Sequence, residues 1–170
     1  MADDNDPKAP TDTPSHEHAV TQDADAWSVF VDANEYSILG FLQMCIERRF
    51  HLAVQERFRL ETKLAETDYW MHTGVGGSPK METQTHMEAP IYCYGQGARI
   101  MGWSAHGSKC GGFRPGTPDT EILKALKETL NRNAKRYPDA RHLGLFAKEG
   151  EHAGDVEILV IQPDPVAAED

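Results

Sequence analysis

Apolar and polar positions change period several times along this chain, and each change marks an expected element. From Ala33 to Glu66 there is no proline, and Gly40 is the only glycine. Leu39, Leu42, Ile46, Phe50, Ala53, Leu60 and Leu64 recur at helical spacing, so they share one face of a helix. Between them stand Glu47, Arg48, Arg49, Glu56, Arg57, Arg59, Glu61 and Lys63, mostly good helix formers. The spacing predicts one long N-terminal helix. Its first third, Tyr36 to Ile46, is apolar nearly all round, which implies burial on every side. Unbroken, the helix would be roughly 50 Å long, whereas residues 27–160 would fold to a globule about 36 Å across. Either the rod breaks, near Gly40 or at Arg48-Arg49, or it projects and needs a partner.

Before this stretch, Trp27 to Val31 is an apolar cluster expected as a short strand or lead-in, with Asp32 or Asn34 able to cap the helix. After it, Tyr69 to Met71 starts a strand. Gly74-Val-Gly-Gly-Ser-Pro79 is a loop by its turn residues. From Ala89 the period shortens to two: Ile91 and Cys93 alternate with Tyr92 and Tyr94, Gly95-Gln-Gly97 offers a turn, and Arg99 to Ala105 alternates again, a hairpin signal. His106 to Gly116 is a second glycine-rich loop. Thr117-Pro118 opens an amphipathic helix, with Thr117 as the expected cap, an apolar stripe through Ile122, Leu123, Leu126, Leu130, Ala134 and Tyr137, and Pro138 as the stop. Leu143–Ala147 and Val156–Ile161 form a last hairpin. The fold class expected from these elements is α+β: an antiparallel sheet of two hairpins packed against one amphipathic helix and a long N-terminal helix.

Charge changes the picture of the ends. Of the formal net charge of -10, residues 1–26 hold -6 and the last ten residues hold -3, which leaves 27–160 close to neutral. The reading is a disordered acidic arm over 1–26, one domain over 27–161 and an acidic tail over 162–170. A near-neutral fold lacks the basic face that duplex nucleic acid requires. No apolar run approaches a membrane span, and no charged start leads into an apolar segment like a secretory signal. Three cysteines without an export signal are expected to be reduced thiols, hence a cytoplasmic location.

Candidate chemistry gathers in the two loops. Gly74 to Lys80 fails as a phosphate loop, because Pro79 precedes the lysine and no Ser or Thr follows it. His106-x3-Cys110 has ligand-like spacing, and with Cys93 it makes a possible zinc set, although tetrahedral zinc wants four N/S donors. Cys110, flanked by Lys109 and glycines, is also a possible nucleophile with His106 as its base. Arg99 and Arg114 could join His106 and Cys110 around a ligand. His106-Gly-Ser108 resembles the HGS-type motif of ADP-ribosyltransferases, but the chain that follows puts Tyr137 on a helix and Glu157 in a strand, the wrong elements for that site. Arg99-x-x-Gly102-x-Ser104 is similar to the coenzyme-A loop of GNAT acetyltransferases, without the helix that must follow. Tyr92, Tyr94 and Trp103 would suit base stacking only beside a basic groove, which is missing.

The sequence therefore favours a non-catalytic protein-binding or regulatory module. It would act on a protein partner and as a homodimer through Ile38, Leu39, Leu42, Ile46 and Phe50, since contiguous exposed apolar surface marks interfaces. The alternative is a small enzyme or a metal- or ligand-binding domain with its site in loops 74–80 and 106–116. No cofactor can be named from these residues.

Overall fold

Seven residues that helical spacing assigns to the start of a long rod are a strand. In the computed structural model, which describes residues 39–81, 84–107 and 109–165, β1 spans Leu39–Cys45, and all but Leu39 are buried. A short run that is apolar on both faces suits a central parallel strand as well as a buried helix, and periodicity alone does not separate the two. The helix, α1, begins only at Arg48 and ends at Thr62. The Glu47 carboxylate caps it by accepting from the Arg49 amide, and Lys63 closes it in the left-handed conformation with its N–H on the Arg59 carbonyl. The projecting rod is thereby divided. Leu42 and Phe50, expected at an interface, are core; Ile46 is exposed, and Ile38 lies outside the described residues. So do Trp27–Val31, the two proposed caps and the acidic arm.

The expected first hairpin is also replaced. Residues Gln84–Gly95 form a second helix, α2, that carries Pro90 within it. Ile91 and Tyr92 are both exposed while Pro90 and Cys93 are buried, a helical pattern that a four-residue alternation can imitate. Gly97, at φ 100°, supplies the turn, but it joins helix to strand. Strand β2 covers Tyr69–Gly74, and β3 covers Ala98–His106.

Because helices separate β1 from β2 and β2 from β3, those strands connect by crossovers and must run parallel. The third helix, α3 (Asp119–Arg136), leads in the same way to β4 (Arg141–Glu149). Among the described strands, only β5 (Val156–Ile161) pairs antiparallel, on β4, as the expected second hairpin requires. The sheet order is β2-β1-β3-β4-β5. This is a three-layer α/β structure with a mostly parallel sheet, not an antiparallel sheet of two hairpins.

Alternation along the strands divides the core between two faces. Leu42, Met44, Ile100, Leu143 and Leu145 pack with Phe50, Val54 and Phe58 of α1. Phe41, Met101, Trp103 and Phe146 pack on the other face with Ile122, Leu126 and Leu130 of α3 and Cys93 of α2. Gly102 lets α1 approach closely: a Cβ there would lie 2.7 Å from Phe58 Cε2 and 2.8 Å from Leu42 Cδ1. Thr117 does not cap α3. Its hydroxyl donates to the Arg114 carbonyl, and Pro118 takes the cap position without a side-chain bond. Among the described residues, no helix is long and apolar enough to cross a membrane.

A candidate Cys/His centre at the carboxyl edge of the sheet

β1 and β3 lie side by side, yet the chain leaves them toward opposite faces: β1 into α1 on one side, β3 toward α3 on the other. A crevice opens where neighbouring strands diverge in this way, and it is the usual ligand position of open α/β sheets. Cys45 is the last residue of β1, and His106 the last of β3. Cys110 returns to them from the β3–α3 loop.

The three side chains meet. His106 Nε2 lies 3.2 Å from Cys45 Sγ, and Cys45 Sγ lies 4.0 Å from Cys110 Sγ. One ligand atom from each of the three falls within 4.8 Å of the others, and all three residues are buried. The Nδ1 of His106 is 2.8 Å from the Gly107 carbonyl. With that nitrogen donating to the carbonyl, the lone pair of the neutral ring sits on Nε2, facing the sulfurs. Phe50, from the first turn of α1, stacks on the ring with centroids 4.6 Å apart.

Electrostatics separates the two thiols. The Cys110 thiol donating to Cys45 lowers the Cys45 pKa, burial opposes, and His106 lowers it further, to about 3. Cys110 moves far the other way, because it keeps the proton it shares with Cys45 and because it is buried. Burial pulls His106 down, but the Cys45 sulfur and the Gly107 carbonyl outweigh it and raise the imidazole. Two donors account for all three directions: the Cys110 thiol, which keeps its proton, and the Nε2–H of the protonated His106 ring, both directed at Cys45 as the thiolate. Cys93 contrasts with them: burial pushes its thiol up to about 11. It is a core residue of α2, outside the group of three.

The two glycine-rich loops converge beside this centre. A Cβ on Gly112 would fall 2.2 Å from Gly76 Cα, so the loops touch backbone to backbone. Lys80 Nζ lies 4.4 Å from the centre of the Phe113 ring. Ser78 is fully buried, donating to the Gln43 carbonyl at 3.2 Å and accepting from the Ser104 amide at 3.0 Å, which ties the loop after β2 to both central strands. A cleft of about 570 Å³ opens over Cys110, and a second of about 500 Å³ lies beside Phe50 against the β4–β5 turn. A cavity of about 10 Å³ is lined in part by Cys45, Phe50 and His106.

Of the ligand residues expected from sequence, His106 and Cys110 come together, and Arg114 lines the cleft over Cys110. Arg99 does not join them. It is the second residue of β3, at the opposite end of the strand and roughly 23 Å from His106, where its guanidinium lies over Tyr94 and donates to the Tyr94 carbonyl. Cys45 is the member that the helical reading conceals. Its signal is a short two-sided, mostly apolar run that stops at Glu47-Arg48-Arg49, with Cys45 one residue from its end, the carboxyl end of a buried strand.

The chain matches no protein-family model and no curated protein. What the site does rests on its own geometry.

Proposed function

We propose that Cys45, His106 and Cys110 hold a divalent transition metal, zinc above all, and that the protein acts through that centre. The spacing of three buried donors carries this reading. Zinc takes sulfur near 2.3 Å and imidazole nitrogen near 2.0–2.1 Å, so tetrahedral angles set neighbouring sulfurs ~3.8 Å apart and sulfur from nitrogen ~3.6 Å apart. The corresponding separations here are 4.0 Å and 3.2 Å. The third, from the Cys110 sulfur to the His106 ring nitrogen, lies within 4.8 Å, so closing the ring around an ion draws that pair together by up to about 1.2 Å, toward the ~3.6 Å that zinc sets. Two thiolates and an imidazole suit zinc better than magnesium or calcium, which prefer oxygen. The Gly107 carbonyl on Nδ1 is the outer contact that orients a ligating histidine.

Three protein donors leave one tetrahedral position for water or substrate, the arrangement of catalytic rather than closed structural sites. The small cavity at Cys45 and His106 has room for about one water. Zinc lowers the pKa of a bound water to about 7 and makes it a nucleophile at neutral pH. The reading is therefore a metal-dependent hydrolytic centre.

A second reading has its own observation. A Cys45 thiolate beside a protonated His106 is the pairing of a cysteine nucleophile with its base. One experiment separates the two: metal content of the purified chain together with alkylation rates of its thiols. The metal reading expects one zinc per chain, lost in Cys45→Ser, Cys110→Ser and His106→Ala and kept in Cys93→Ser. Metal-free protein whose Cys45 alkylates fastest would overturn it in favour of the thiol pair.

A further inference from the structure

The cleft over Cys110 is built for a particular charge. It has about 570 Å³ of space, within the range of small-molecule sites. Phe113 and Ile122 give it apolar walls, while Lys109 and Arg114 stand at it as cations. Both cations are exposed, and among the described residues neither has a carboxylate in ion-pair range. The one acid in the lining, Asp119, lies with its carboxylate against Gly107.

The loop that carries these groups is held in shape. Phe113 N donates to the Cys110 carbonyl at 3.0 Å and Thr117 N to the Arg114 carbonyl at 3.0 Å, two consecutive turns. The Thr117 hydroxyl donates to that same Arg114 carbonyl at 2.8 Å. Lys80 stays over Phe113, so the aromatic wall is fixed from the other loop as well.

The charges at the cleft sum to one positive: two cations against one carboxylate. A zinc ion bound by two thiolates and a neutral imidazole adds no net charge. We infer that this cleft takes a small organic anion, a carboxylate on an apolar or aromatic body, lodged between Lys109 and Arg114 with its body on Phe113. The inference rests on the metal reading for its consequence: Cys110 both lines the cleft and ligates the ion, so an occupant of the cleft abuts the metal. It thereby names the substrate class of that centre. A cationic ligand would meet Lys109 and Arg114 directly, and a neutral one would leave them without a counter-charge.

The probe is benzoate, with benzamide as its neutral isostere, added to the full-length chain and followed by amide NMR shifts. Benzoate is expected to move the amides of residues 109–117 and to bind more tightly than benzamide. Arg114→Gln and Lys109→Gln should each weaken benzoate by up to about fivefold, the range of an exposed ion pair, and leave benzamide unchanged. Both variants should retain one zinc per chain, since neither residue is a metal ligand. Equal affinity for the two probes, or shifts confined to other parts of the chain, would overturn the anion site. The shifts do not require metal, so a metal-free protein that still prefers benzoate would sink the metal reading and leave the cleft assignment standing.

Discussion

His142 is a buried histidine whose two nitrogens are both committed, and this sets how the fold should respond to acid. Trp103 Nε1 donates to His142 Nδ1 at 3.1 Å, and His142 Nε2 is 2.9 Å from the Tyr137 carbonyl. The partners require the neutral ring, accepting at Nδ1 and donating at Nε2. A second proton would place an N–H on Nδ1 directly against the indole N–H. Burial lowers its pKa, and the Tyr137 carbonyl only partly offsets that. Above pH ~6.5, the ordinary histidine value, the side chain is neutral whether the chain is folded or not, and it contributes no pH dependence. Below that, the unfolded chain takes up a proton that the folded chain refuses, so stability falls as pH falls. The slope for one such proton is at most about 1.4 kcal/mol per pH unit, and it ends once the pH drops below the lowered folded value. Urea unfolding from pH 7.5 to 5 would measure it, with His142→Gln as the reference. The variant removes the titrating group and costs about 1–3 kcal/mol at every pH through the disrupted bonds. Other histidines are shifted as well, His72 down by burial and His106 up by the Cys45 sulfur and the Gly107 carbonyl, but they are common to both proteins and cancel in the difference. The expected result is a constant offset above pH 6.5 that narrows below it. Parallel curves through the whole range would refute the reasoning.

Two further outcomes follow from the packing and the centre. Gly102→Ala puts a methyl 2.7 Å from Phe58 and 2.8 Å from Leu42, both fully buried, and overpacking of this kind costs about 1–3 kcal/mol; a variant at least as stable as the parent in urea would contradict the close approach of α1 to β3. Removing metal with a chelator should lower Tm by roughly 10 °C, because an ion at a hundred times its Kd stabilises by about 2.7 kcal/mol. An unchanged melt in excess chelator, in a protein that had carried zinc, would place the ion somewhere other than Cys45, His106 and Cys110.

How far the fold is legible depended on whether one period was available to each segment. Asp119–Arg136 spans five turns, long enough for Ile122, Leu126 and Leu130 to declare a stripe, and β4 and β5 are joined closely enough to declare a hairpin. Leu39–Cys45 is too short and too uniformly apolar to declare anything, and the charged run after Glu47 extended its pattern into a helix that begins only at Arg48. Misreading that one strand displaced the rest of the sheet, because β1 is the strand that both β2 and β3 pair with. The site was partly legible for the same reason. His106 and Cys110 are four residues apart, within reach of a local pattern, whereas Cys45 reaches them only through strand pairing across 61 residues. Spacing rules cannot see a ligand delivered by topology.

The centre is also a gauge of whether β1 and β3 have found their correct alignment. Gln43 sits opposite Trp103, two residues before Cys45 ends β1 and three before His106 ends β3. A slip by one position would turn every side chain of β1 to the other face of the sheet, carrying Cys45 away from His106 and Cys110. Misaligned chains, even compact ones, would then lack the third donor. An ion held by all three would select the properly threaded form during folding, so the chemistry at the edge and the fidelity of the sheet would be secured by the same three atoms.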